Sequence, residues 1–218
     1  LGPNMISFIG HSDMRVAAMG IMDATDRKVK PSKEQMETME SQLEDALESG
    51  FLGLSTMRLH WDKIDGDRAW SRSLPSTYAR VSELWRLNRM VRRYNRIHQG
   101  APNAANPLRI LEYLIDTIGI FRRPLKTTLI ALFDLRGNRT LRPLSQLASR
   151  FVNSIGGAFR WQVLPTPFTV YADGIDVVFF EEFGAGELAL DLKTQVERND
   201  LFRDCLLYTS DAADDLLC

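Results

Sequence analysis

The chain has 218 residues, 44% of them hydrophobic and 25% charged, with a formal net charge of −1. That is ordinary globular composition, and a charge this close to zero gives no global attraction to nucleic acid. The longest apolar run, residues 127–133, has the length of a strand and falls far short of the roughly 20 residues a membrane helix needs, so neither nucleic acid nor membrane is an expected partner.

Met5-Ile-Ser-Phe-Ile9 reads as a first strand, followed by a polar loop Gly10-His-Ser-Asp-Met-Arg15. Residues 16–29 have weak periodicity and read as loop with one turn of helix. Pro31-Ser-Lys-Glu-Gln35 is a capping box, in which Ser32 and Gln35 satisfy each other's orphan donors. Met36, Met39, Leu43, Ala46 and Leu47 then recur at helical spacing, and Gly50 closes the helix. Phe51–Thr56 is the next strand, with a long loop behind it carrying Arg58, His60, Asp62, Asp65 and Asp67.

A second helix is expected from about Ser76, with Val81, Leu84, Trp85, Val91 and Tyr94 on its apolar face. Its arginines (Arg80, Arg86, Arg89, Arg92, Arg93) read as a solvated outer face, because no aromatic platform or nucleic-acid motif accompanies them. Asn95–Gly100 reads as a strand. The next helix opens at Asn106-Pro107 and buries Leu108, Leu111, Leu114, Ile115 and Ile118. Residues 126–133 form the clearest buried strand and end at Asp134. A fourth helix carries Leu144, Leu147, Ala148, Phe151, Val152 and Ile155, and Phe159–Leu164 is the last strand.

Strands beginning near residues 5, 51, 95, 126 and 159 therefore alternate with helices, which predicts an α/β fold with a parallel sheet. Either part of a (β/α)8 barrel or a doubly wound sheet fits. No Gly-rich dinucleotide turn follows a strand, which weakens the second. Polar residues follow the strands in turn, and a barrel gathers such loops over one mouth. Asp173-Gly174 reads as a turn and Glu181-Glu182 as an acid pair at a helix start.

The end of the chain stands apart. Cys205-Leu-Leu-Tyr-Thr-Ser-Asp-Ala-Ala-Asp-Asp215 resembles the translation of a transposase-end adapter used in sequencing libraries, so 1–204 is expected to be the fragment with a fold and 205–218 a non-native tail. Both cysteines lie in that tail, and cysteine chemistry is excluded elsewhere.

Asn4-Met-Ile-Ser-Phe-Ile-Gly-His-Ser-Asp-Met-Arg15 resembles a segment of the N-acyl-D-amino-acid deacylases of the amidohydrolase superfamily. Pro31 to Thr56, Trp161–Leu164 and Tyr171 to Gly186 look like the same family. The resemblance implies a (β/α)8 TIM barrel truncated at both ends, a bacterial cytoplasmic setting, and hydrolysis of N-acyl amino acids by Zn²⁺-activated water. It implies a His-x-His pair upstream of Leu1 and a catalytic Asp beyond Asp204, so no catalytic residue is expected within the chain and the fragment itself is expected to be inactive. It also implies a metal ligand at His98, and a second histidine after the next strand, where this sequence has Ala131-Leu-Phe-Asp134. Arg58, His60, His11 and Arg15 are the candidate substrate-binding residues, since a guanidinium fork grips a carboxylate with two bonds. The missing histidine leaves a different class open, a metal-free barrel serving as a binding or scaffolding module. An unrelated α/β hydrolase-like or nucleotide-binding sheet is a third reading.

Overall fold

The computed structural model describes residues 5–60, 62–102, 107–119, 122–130, 141–163, 171 and 188–203. The chain divides into two compact units, Leu1–His60 with Ser73–Pro165, and Trp61–Arg72 with Thr166–Cys218.

The first unit is built on a five-stranded sheet. Its strands are β1 (Ile9–Gly10), β2 (Gly53–Met57), β3 (Ile97–Ala101), β4 (Lys126–Leu129) and β5 (Ala158–Trp161). All four pairings are parallel. The spatial order equals the chain order, β1-β2-β3-β4-β5. Each crossover therefore steps one strand onward in the same direction. A doubly wound sheet reverses direction at a switch point, and this sheet does not.

Register assigns the two faces. Leu54, His98, Thr127 and Phe159 stand side by side on one rung. All four are buried. Leu54, Leu129 and Phe159 pack with Met39, Leu43, Leu87, Val91, Leu114 and Val152 from the helices, so this face meets the helical layer. Each fully buried side chain of this kind contributes about 1.5–3 kcal/mol relative to exposure. The alternate rung, Gly10, Ser55, Gln99, Thr128 and Arg160, lies on the opposite face. That rung is polar, and Ser55 donates to Gln99 Oε1 at 3.2 Å.

The capping box forms as its sequence demands: Gln35 N–H donates to Ser32 Oγ at 3.2 Å and Ser32 N–H to Gln35 Oε1 at 2.8 Å. It starts α3 (Lys33–Glu48), whose five expected apolar residues are all buried. Gly50 then turns the chain at φ +99°, a conformation that a Cβ disfavours.

Elsewhere the fold corrects the sequence reading. The segment after β1 is helical, not loop: α1 (His11–Met19) and α2 (Ile21–Ala24) follow directly. α1 buries His11 and Arg15 beside Met14, and a helix whose inward face is half polar carries no apolar periodicity. Residues 5–8 lie outside any regular element, with Met5 91% exposed.

A short 3-10 turn (Pro75–Tyr78) precedes α4 (Val81–Arg93), so that helix starts later than expected. Its inward face is Glu83, Leu84, Leu87, Asn88, Val91 and Arg92, while Trp85 is 48% exposed. The arginines are mostly paired. Arg86 grips Glu40 through two 2.6 Å bonds, Arg93 pairs with Glu44, and buried Arg92 donates to Asp116 Oδ1 at 3.0 Å.

Residues 95–100 contribute a strand as expected, shifted to Ile97–Ala101. On α5 (Pro107–Thr117), Leu111 and Ile115 face outward while Tyr113, Leu114, Asp116 and Thr117 are buried. On α6 (Leu141–Ser154), Leu144, Leu147 and Phe151 are each more than 60% exposed, and Ser145, Ser149 and Val152 face the interior. Amphipathicity is legible in both helices, and Leu114, Ile118, Ala148 and Val152 of the expected stripes do meet the core, but Leu111, Ile115, Leu144, Leu147 and Phe151 do not, and polar Asp116, Thr117, Ser145 and Ser149 are buried instead. Asn106, Asp134, Asp173, Gly174, Glu181, Glu182 and residues 205–218 lie outside the described residues.

The second unit takes up the distal part of the β2 loop. Lys63 pairs with Asp191 at 2.9 Å, Trp70 Nε1 donates to Asp191 O at 2.8 Å, and Ser71 donates to the same carboxylate. α7 (Gln195–Phe202) begins with a second capping box, Thr194 and Glu197. Asp62, Asp65 and Asp67 thus belong to this unit, whereas Arg58 and His60 stay with the sheet.

Candidate functional site

Parallel strands place all their carboxyl ends along one edge, and the helix following each strand begins there. At β2 this edge holds Arg58 and His60, and the 3-10 turn and the start of α4 return to it. A cleft of about 490 Å³ opens at this point. The described residues lining it are Arg27, Arg58, His60 and the run Thr77-Tyr-Ala-Arg-Val81.

Arg58 is 5% exposed. Its backbone N–H extends the β2–β3 pairing by donating to Ala101 O at 2.8 Å. Its guanidinium reaches Glu112 Oε2 at 2.8 Å and Ala79 O at 3.4 Å. Its charge is thus paired with a carboxylate of α5. His60 is exposed at the rim, and its carbonyl accepts from Ser73 Oγ at 2.6 Å.

His11 and Arg15 lie apart from the cleft, enclosed at 0% and 1% exposure. Both converge on Glu83 in the first turn of α4. His11 Nε2 stands 2.8 Å from Glu83 Oε1, and Arg15 Nη1 donates to both carboxylate oxygens at 2.6 and 2.5 Å. Burial alone raises a carboxyl pKa, but the hydrogen bonds and charges of His11 and Arg15 outweigh it and hold Glu83 below its ordinary value. Beside this knot, Ser12 Oγ meets Ser76 Oγ at 2.8 Å, and Ser76 Oγ donates to Met57 O at 2.5 Å. The network anchors the starts of α1 and α4 to the end of β2, and so fixes the cleft's wall. Sequence reasoning missed Glu83, whose only signal was an acid in a first helical turn.

His98 sits within β3, on the face covered by helices. Its Nε2 meets Thr56 Oγ1 at 3.2 Å, and its ring stacks on Tyr113 with centroids 5.3 Å apart. Burial, reinforced by the charges of His11 and Arg58, pushes its pKa down to about 3. Among the described residues its Nδ1 has no hydrogen-bond partner. A neutral imidazole with an unpartnered nitrogen is chemically a metal donor. Among the described residues, however, no group of three or more His, Cys, Asp or Glu side chains stands where it could share an ion. The described residues do not by themselves fit a zinc site. No described helix is long and apolar enough to cross a membrane.

No family model matches the chain. It is 41% identical over 207 residues to uncharacterised proteins of Mycobacterium tuberculosis and Mycobacterium bovis, covering 94% of this chain and 34% of theirs. The chain thus spans about a third of the length of the curated relatives it matches. In structure it is similar to an N-acyl-D-glutamate deacylase of Bordetella bronchiseptica, crystallised with zinc and a phosphonate mimic of the tetrahedral intermediate. That likeness has a TM-score of 0.55 at 20% identity and covers 75% of this chain and 31% of the deacylase. The fold of this chain is an α/β fold of the kind that deacylase contains.

Proposed function

We propose that this chain is a segment of a metal-dependent amidohydrolase that cleaves the amide bond of N-acyl amino acids, of the D configuration. The observation that carries the reading is the sheet: five parallel strands in chain order, with helices on one face. Continued around its axis by further β/α units, this arrangement closes into a (β/α)8 barrel whose inner face is the rung Ser55, Gln99, Thr128 and Arg160. The carboxyl-end edge then becomes the mouth, where amidohydrolase chemistry takes place. The zinc-bearing deacylase neighbour supports both the architecture and the small-molecule substrate.

Within that reading, the chain's own residues supply substrate binding. The cleft at the end of β2, bordered by Arg58 and His60, seats the substrate's anionic end, and the His11–Glu83–Arg15 knot keeps its wall rigid. A bound metal would polarise the amide and lower the pKa of water, and its ligands would have to come from outside the described residues.

A metal-free binding module is the second reading, and His98 favours it, because its ring is turned into the helical layer instead of toward the opposite face. Zinc content and turnover of a full-length mycobacterial relative separate the two. Stoichiometric zinc with release of free amino acid from N-acetyl-D-amino acids supports the hydrolase. A zinc-loaded protein without turnover across a panel of such substrates contradicts it.

A further inference from the structure

Three guanidinium groups border the cleft, and they are not equivalent. Arg58 is buried and faces Glu112, which neutralises it. Arg27 and Arg80 are exposed, and neither has an acidic partner among the described residues. Arg27 follows α2 and lies over the ring of Tyr78 at 6.0 Å, which holds it at the rim. Arg80 is the N-cap residue of α4, and no side chain among the described residues caps that helix. The first N–H groups of a helix have no intrahelical acceptor, and their dipoles sum to about half a positive charge. α4 is 13 residues long, and Val81 at its start lines the same cleft. Thr77 and Tyr78 also line the cleft, with the Thr77 hydroxyl donating to Leu59 O at 3.3 Å.

The cleft therefore has two cations that no acidic side chain among the described residues compensates, together with the uncapped start of a helix. A single carboxylate neutralises one. We infer that the cleft selects a small molecule whose bound end carries two negative charges, either two carboxylates or one phosphoryl group. Arg27 and Arg80 are the specificity-determining residues, and Arg58 is the scaffold that positions the wall through Glu112 and Ala79. The inference rests on the reading of this cleft as the substrate site, and it names residues that no resemblance supplied.

The test is equilibrium binding to the purified 218-residue chain by calorimetry, with no turnover required. The probes are glutarate, phenyl phosphate and N-acetylglycine, measured at low and at physiological salt. At least one dianion should bind about tenfold or more tightly than the monoanion, with a preference that shrinks as salt rises. The tighter of the two dianions identifies the charge as dicarboxylate or phosphoryl. In an R27Q/R80Q variant, with wild-type circular dichroism, affinity for the dianions should fall further than affinity for N-acetylglycine, so that the preference collapses to about unity. Equal affinity for all three probes overturns the inference, and so does a preference that survives in the variant. Should the preference hold while the full-length relative fails to hydrolyse any N-acyl amino acid, the anion site stands and the hydrolase reading fails.

Discussion

Glu83 is the side chain whose removal tests the architecture of the site most sharply. It is 4% exposed and accepts from Arg15, itself 1% exposed, and is bonded to His11 at 0%. Glu83→Ala leaves a guanidinium buried without its counter-charge, and breaking a buried pair in this way costs about 3–5 kcal/mol. Glu83→Gln keeps the shape and one acceptor but loses the charge, so it should cost roughly 1.5–3 kcal/mol, the range for hydrogen bonds to charged groups. Urea unfolding at pH 7 measures both, and the reasoning requires the midpoint to move with little change in slope. Acid should also discriminate. The folded pKa of Glu83 lies below its ordinary 4.5, so its contribution is fully present above that value and is lost as pH falls through the folded pKa. Wild type should therefore lose more stability than E83Q between pH 5 and the acid limit. A double replacement, Arg15→Met with Glu83→Leu, should recover most of the loss, since apolar residues of similar volume often substitute for a buried pair. An E83A protein within about 0.5 kcal/mol of wild type would refute the account of this knot.

Three further expectations follow from the structure. His98 should stay neutral down to about pH 3, so its ring resonances should not titrate between pH 5 and 8; because unfolding lets it take a proton, stability should fall as pH drops below about 6.5, and a native titration midpoint near 6.5 would contradict its placement. Gly100→Ala puts a Cβ against the Tyr113 ring and 2.8 Å from Leu129 Cδ2, an overpacking that should cost about 1–3 kcal/mol in a thermal or urea melt; a neutral result would mean the strand and α5 are farther apart than described. Leu147→Ser with Phe151→Ser, at positions 64% and 62% exposed, should reduce light scattering by the purified chain while changing stability by no more than about 0.5 kcal/mol per site, and a large destabilisation would show that α6 faces the sheet differently.

What the sequence made legible depended on how local the signal was. The helix at residues 33–48 was readable because a capping box, an apolar stripe and a closing glycine all lie within it. Strand positions were readable to within a few residues because short apolar runs between helices leave little choice. α1 was not, since the residues it buries are a histidine and an arginine whose partner Glu83 is 68 residues further on from Arg15. The outward stripe of α6 was misassigned because period alone identifies a helix with two faces without saying which face meets protein. The cleft was only half visible. Arg58 and His60 stood out because they follow a strand, whereas Arg27 and Arg80 sit far apart in sequence on segments that read as loop and solvated helix. Topology, by turning α2 and the start of α4 toward the end of β2, makes them neighbours.

The most direct measurement of the central claim is a crystal structure of a full-length mycobacterial relative with a bound N-acyl amino acid. The expected result is a closed barrel with the residues matching Ser55, Gln99, Thr128 and Arg160 on its inner face, and the ligand's anionic end in the cleft bordered by those matching Arg27, Arg58 and Arg80. An open sheet with helices on both faces, or a ligand bound at the amino ends of the strands, would contradict it.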